Sequence, residues 1–249
     1  MKKIFIFLLF TLIITGCGKN SDELVMVTEA GFAPYEYYEN GEIVGVDVEI
    51  AKEIAKELNK KLVIKDVAFD SIINEVKTRK ADIGLAGISY NEERAKQVDF
   101  SNDYATSKQV VIVKNDSSIK TLDEIYNKKI SVQLGSIADT YVTKKYKDAT
   151  ITRQKKYLAA IWDLKDNKSD CVIMDELPAK QILSNNKDLK ILDGSLTNDS
   201  YGVIVKSGNK ELLEVVNNVI ERLKSDGSID NYILKYTTEW GNTNEQFFW

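Results

Sequence analysis

Residues 81–89 read Ala81-Asp82-Ile83-Gly84-Leu85-Ala86-Gly87-Ile88-Ser89, followed by Glu93-Arg94, Val98-Asp99-Phe100-Ser101 and Tyr104. Residues 82–88 have the apolar run of a strand, and it ends in small residues. Strands and helices alternate on either side of it. Upstream, Leu24-Val25-Met26-Val27-Thr28 reads as a buried strand, and residues 35–38 and 42–46 flank the hairpin-turn pair Asn40-Gly41. Val48, Ile50, Ala51, Ile54, Ala55 and Leu58 recur at helical spacing behind Asp47, a residue type that caps helices. Residues 62–67 form the next strand, and Asp70 stands as cap of a helix bearing Ile72, Ile73 and Val76. Downstream, 109–114, 130–134, 170–174, 189–192 and 201–206 read as strands. Helices are expected over 121–126, from Ser136 to about Tyr146, and over 157–166, 176–183, 210–224 and 229–236. This alternation specifies an α/β architecture with largely parallel sheets.

The chain has 249 residues, 43% hydrophobic and 29% charged, the balance of a globular protein with a core of its own. Its net charge is −4, and −6 once the leader described below takes Lys2 and Lys3 away. The electrostatic footprint of a nucleic-acid binder is missing. No histidine occurs. Serine–histidine and cysteine–histidine nucleophiles, histidine metal sites and imidazole pH switches are thereby excluded. Two cysteines, Cys17 and Cys171, are too few for a thiolate metal cluster, and no cofactor is expected. Lysine outnumbers arginine by 30 to 4, which draws attention to the four arginines, Arg79, Arg94, Arg153 and Arg222, as residues whose planar, bidentate fork has a use, Arg94 first.

Met1-Lys2-Lys3 is a positive opening, and residues 4–15 are a 12-residue apolar run. That is too short to span a bilayer and suits a signal peptide. It ends in Leu12-Ile13-Ile14-Thr15-Gly16-Cys17, which resembles a bacterial lipobox with cleavage before Cys17 and lipid on its thiol. Residues 1–16 are then a lipoprotein signal peptide and 17–23 a lipidated tether. With Cys17 spent on the anchor, no internal disulfide remains. The lipid holds the protein at the outer face of the cytoplasmic membrane.

Three stretches, taken in order, carry a wider resemblance. The first is Phe32-Ala33-Pro34-Tyr35-Glu36-Tyr37 with Gly45-Val46-Asp47-Val48; the second is the stretch quoted at the outset. The third is Val132-Gln133-Leu134-Gly135-Ser136 with Asp170-Cys171-Val172-Ile173-Met174-Asp175. From about Leu24 to Tyr236 the chain resembles the polar amino-acid-binding proteins of ABC importers, the bacterial extracellular solute-binding family 3, in lipoprotein form. The resemblance implies a two-lobed, periplasmic-binding-protein-like (type II) flytrap. Each lobe is a mainly parallel sheet flanked by helices, and two hinge strands join them. Residues 24–107 and 202–249 make one lobe and 108–201 the other, with crossings near 104–108 and 199–203. The lobes close on a ligand in the cleft. A monomer of this kind hands a polar or basic L-amino acid to the membrane subunits of an ABC permease and performs no chemistry.

The resemblance also distributes the site. Arg94 takes the ligand carboxylate, joined by Ser89, Ser136 and Ile137. Asp175 takes the ammonium, with Gly87 beside it. Phe32 and Phe69 sandwich the side chain, Glu29 lies deep in its pocket, and Gln133 and Met174 line the specificity side. The chemistry of the residues agrees. Burying both charges of a zwitterion requires paired partners. A guanidinium fork suits a carboxylate, and Gly135-Ser136-Ile137 lies between a strand and a helix N-terminus, a ready anion site. Asp175 ends a strand at the edge where α/β clefts form, and it also stands where it caps the helix from Glu176. Both aromatics equally suit core packing, and Glu29 equally suits a solvated loop. Glu29, neutral Gln133 and adaptable Met174 favour a basic or polar side chain, with cystine and methionine left open by Met174.

Two other classes share the scaffold. A cyclohexadienyl-dehydratase-like enzyme would need a carboxyl general acid, Glu29 or Asp175; the pairing of Arg94 with Asp175 favours a zwitterion over its anionic substrate. A receptor's sensor lobe would have to act through a partner.

Overall fold

A computed structural model describes residues 22–239. The leader, Cys17 and most of the tether lie outside the described residues. The chain opens with β1 (Glu23–Thr28), the hairpin β2 (Tyr37–Glu39) and β3 (Glu42–Val44), α1 (Val46–Glu57) and β4 (Lys61–Asp66). α2 (Ile72–Lys77), β5 (Ile83–Gly84), the short α3 (Glu92–Ala95) and the long β6 (Val98–Lys114) follow. Then come β7 (Lys129–Gln133), α4 (Ile137–Lys145), β8 (Thr150–Gln154), α5 (Tyr157–Lys165) and β9 (Cys171–Asp175). α6 (Glu176–Ser184), β10 (Leu189–Ile191), β11 (Thr197–Lys206), α7 (Lys210–Ser225) and α8 (Ser228–Glu239) complete the order.

One 9-stranded sheet runs β4-β1-β5-β11-β6-β9-β7-β8, with β10 also on β6. β4, β1 and β5 are mutually parallel, and so are β9, β7 and β8. The two triplets are joined through the antiparallel pair β6 and β11. The α/β class is the one expected from the alternation, and the two triplets with β6 and β11 as crossing strands are the two-lobed arrangement that the resemblance implies. Val98–Asp103 of β6 opposes the end of β11 next to β5, whereas Gln109–Ile112 pairs with β9. The β6–β11 register slips around Gly202, where the pair passes from one triplet to the other.

Strands covered on both faces explain the near-continuous apolar runs. Leu24 and Met26 of β1 enter the largest core cluster, while Val25 and Val27 enter another with Ile72, Val98 and Ile204. In β6, Val110 and Ile112 face the largest cluster; Val111 and Val113 face a third one with Ile130, Val132 and Ile173. The largest cluster is continuous from α1 and α7 to Val172 and Leu164. At the hairpin, Asn40 and Gly41 have φ of 50° and 83°, the positive pair that a tight two-residue turn needs.

Several elements differ from expectation. β5 keeps only two residues of the expected 82–88, because the chain leaves the sheet toward Gly87, whose φ is 53°. β6 runs 17 residues, back to Val98, where 109–114 was expected. β8 is an edge strand with one strongly apolar residue, Ile151, and no strand was expected there. Residues 121–126 form only a 3-10 turn, Leu122–Ile125. Asp47 does not cap α1: the N-cap is Gly45, and Asp47 lies buried inside the first turn. Asp70 does not cap α2 either; it sits in the 3-10 turn Phe69–Ser71, and Ser71 precedes the helix. Among the described residues no helix is long and apolar enough to cross a membrane.

Candidate functional site

The carboxyl ends of the two parallel triplets face each other, and the loops leaving them build one cavity. Glu29, Phe32 and Glu36 follow β1, Phe69 follows β4, and Ala86, Gly87 and Ser89 follow β5, with Arg94 on α3. Across from them, Gln133 ends β7, Ser136 and Ile137 open α4, Tyr157 opens α5 and Asp175 ends β9. The cavity is tight, with a volume of about 10 Å³. The walls touch in several places. Arg94 Nη2 donates to Gly135 O at 2.9 Å, and Gln133 Nε2 donates to Glu29 Oε2 at 3.1 Å. A Cβ on Gly135 would stand 3.3 Å from Asp70 Cβ, so the left-handed Gly135 (φ 77°) allows that close approach.

Arg94 is 7% exposed, and its burial pushes the guanidinium below its ordinary pKa. Asn91 caps α3 by accepting from the Arg94 amide at 2.8 Å, which sets the direction of the side chain. Nη1 donates to Ser89 O at 2.7 Å, so two of its five N–H groups are spent on carbonyls and three remain. The guanidinium also lies 5.5 Å over the Phe69 ring. Ser136 is the N-cap of α4, its hydroxyl accepting from Asp139 N at 3.1 Å.

Asp175 is also buried. Its Oδ1 accepts from Ser107 at 2.8 Å and Tyr201 at 2.5 Å, and burial raises its pKa. It occupies the N-cap position of α6 without making a capping bond, because the side chain turns to the cavity side. Among the described residues it has no ion-pair partner, so it stands ready for a cationic group. Glu29 is 2% exposed and its pKa is raised, chiefly by burial and against the pull of Lys156. Gln133 Nε2 also donates to Lys155 O at 3.0 Å, which pins the amide over Glu29. Behind the cavity, Asp47 accepts from Gly87 N at 3.0 Å and Tyr104 OH at 2.9 Å, holding the Gly87 turn in place.

Eleven expected site residues fall on described positions. Ten of them line the cavity: Glu29, Phe32, Phe69, Gly87, Ser89, Arg94, Gln133, Ser136, Ile137 and Asp175. Met174 does not. Side chains alternate along β9, so with Asp175 facing the cavity Met174 points into the core, where it is fully buried. The expectation that it lines the specificity side is corrected accordingly. Phe32 stacks at 5.5 Å on Tyr157, a residue read from the sequence only as a helix start. Glu36, Ala86 and Tyr157 were missed, although Glu36 and Ala86 lie inside the quoted stretches; local pattern marks them as strand and turn. Cys171 is fully buried and its thiol is pushed up to about 12, so it is chemically quiet.

Arginine-binding extracellular protein ArtP of Bacillus subtilis is 29% identical over 240 residues, covering 92% of this chain and 94% of that protein. The probable histidine-binding protein of Campylobacter jejuni is 31% identical over 216 residues, 85% of this chain and 84% of the relative. The amino acid ABC transporter substrate-binding protein AbpA of Streptococcus pneumoniae, solved bound to L-arginine, superposes with a TM-score of 0.84 at 35% identity. That match covers 88% of this chain and 96% of AbpA. Residues 24–239 match the family described as bacterial extracellular solute-binding proteins, family 3, and the chain belongs to that family.

Proposed function

We propose that this protein binds a polar or basic L-amino acid between its two lobes and delivers it to an ABC permease. One observation carries the reading: a buried arginine and a buried carboxylate, without an ion-pair partner among the described residues, face one cavity from opposite sides. A zwitterion satisfies both at once. Arg94 takes the carboxylate with its remaining N–H groups, helped by Ser89 and by the α4 N-terminus at Ser136 and Ile137. Asp175 takes the ammonium beside Gly87. The side chain extends between Phe32 and Phe69 toward Gln133 and Glu29, and a basic group of the arginine type suits that acidic end. The arginine- and histidine-binding relatives support the class. The lobes are 24–107 with 202–249, and 108–201; β6 and β11 flex between them, and they part to admit ligand. Lipid on Cys17 tethers the monomer outside the cell membrane. Ligand leaves unchanged, and turnover of prephenate by the purified protein would refute this.

A thermal-shift panel of the twenty amino acids, ornithine, citrulline, cystine and prephenate tests the reading. Ligand at about a thousand times its dissociation constant adds roughly 4 kcal/mol, a shift on the order of 10 °C for a chain this size. A large shift confined to basic or amide amino acids is the expected result. No shift with any amino acid would overturn it.

A further inference from the structure

Lys156 immediately precedes α5 at its N-cap position, with a half-exposed side chain. Its ammonium lies 3.5 Å from Glu29 Oε1 and 3.8 Å from Asp66 Oδ2. Both acids follow or end strands of the β4-β1-β5 triplet, whereas Lys156 belongs to the β9-β7-β8 side, so this ion pair crosses the cleft. Glu29 depends on it. Its Oε2 accepts from Gln133, but its Oε1 accepts no hydrogen bond among the described residues and meets only the lysine charge. Asp66 is better provided for: Oδ1 accepts from Ala30 N at 2.9 Å, and Oδ2 from Tyr38 OH at 3.2 Å. It offers the ammonium a second seat nearer the solvent.

We propose that Lys156 is a specificity-determining residue that supplies the counter-charge of Glu29 across the cleft and so holds down the preference for cationic over neutral ligand side chains. The inference rests on the amino-acid-binding reading above. A cationic head group reaching Glu29 must push the ammonium toward Asp66 or into water. A neutral amide head leaves the ion pair intact and meets Gln133. The strength of discrimination is therefore set by a residue that need not touch the ligand.

Titration calorimetry with L-arginine and L-glutamine on the unaltered protein, Lys156→Met, Glu29→Gln and the double variant tests this. Lys156→Met is expected to raise the arginine-to-glutamine affinity ratio about two- to fivefold, the size of one partly exposed charge pair. In the Glu29→Gln background the same change is expected to leave the ratio alone, since the lysine has lost its partner. An unchanged or lowered ratio in Lys156→Met, or an equal rise in both backgrounds, would overturn the proposal. If the unaltered protein binds neither amino acid, it is the ligand reading that has failed. Small-angle scattering of ligand-free protein then decides the cross-cleft pair alone. Lys156→Met is expected to give a larger radius of gyration at low salt, and superimposable curves would refute the pair.

Discussion

Arg94 does two jobs that pull in different directions. Its bond to Gly135 O joins the cavity walls and its bond to Ser89 O holds it on its own wall, while its spare N–H groups have no ion-pair partner among the described residues. Burial disfavours that cation, and in the proposed function a ligand carboxylate restores the balance. Arg94→Ala is expected to weaken amino-acid binding by at least about a hundredfold, the cost of unpairing a buried charge. Calorimetry on the variant checks this, with its ligand-free melting temperature measured alongside, and near-normal affinity would refute the carboxylate role. Asp47 is a different buried charge. Its carboxyl is pushed up to about 6, chiefly by burial, despite its hydrogen bonds from Gly87 and Tyr104. The folded value thus lies above the unfolded one, near 4. Between these two values the folded chain holds a proton that the unfolded chain has released, so stability falls as pH rises through that window. Asp47→Asn keeps an acceptor for both donors and removes the charge. The melting temperature of the variant minus that of the unaltered protein is expected to climb from about pH 4 to pH 6 and then level off. A difference independent of pH would mean that Asp47 does not titrate there, and Glu36 beside it, also pushed up by burial, would be the next group to test.

β5 is the element on which the cavity hangs. It is two residues long, yet it sits between β1 and β11 and aims Ala86, Gly87 and Ser89 at the cleft. Its shortness is tolerable because Gly84 packs directly on its neighbours. A Cβ there would stand 2.7 Å from Ile204 Cγ1 and 3.0 Å from Ile72 Cγ2. Gly84→Ala overpacks this contact and is expected to cost about 1–3 kcal/mol. Denaturant unfolding measures that, and an unchanged midpoint would show that β11 and α2 yield freely. β8 illustrates the opposite case. It pairs only with β7 at the end of the sheet and carries mostly polar residues, so its identity as a strand comes from register with β7 and not from its own pattern.

The protein is divided by its cleft but not by its core. Two local clusters belong to the separate triplets, whereas the largest runs through β6, α1, α7 and α5 and serves both. β6 and β11 contribute backbone pairing to both sides. Neither lobe can lose its structure without exposing the shared strands. Unfolding is therefore expected as one cooperative transition, with calorimetric and van't Hoff enthalpies in agreement. Two resolved transitions would show that the lobes are independent folding units. Hinge motion is compatible with this cooperativity, because flexing around the register slip at Gly202 leaves both clusters packed.

Periodicity is local, and it was enough for the α/β class and the strand ends that build the cleft; the ten wall residues came from the resemblance to a known family. Arg94, Asp175 and Glu29 were placed by that resemblance, and for Arg94 and Asp175 the chemistry of a buried zwitterion agrees. The direction of Met174 follows from the alternation of β9 once Asp175 is placed, and it needed the strand register to be seen. The partners across the cleft were not readable at all. Gln133 and Glu29 are 104 positions apart, and nothing in either neighbourhood points to the other. The stacking of Tyr157 on Phe32 and the pairing of Lys156 with Glu29 likewise depend on how the two lobes meet. Local sequence sets which groups stand at each rim, and the packing of the shared strands sets which of them touch.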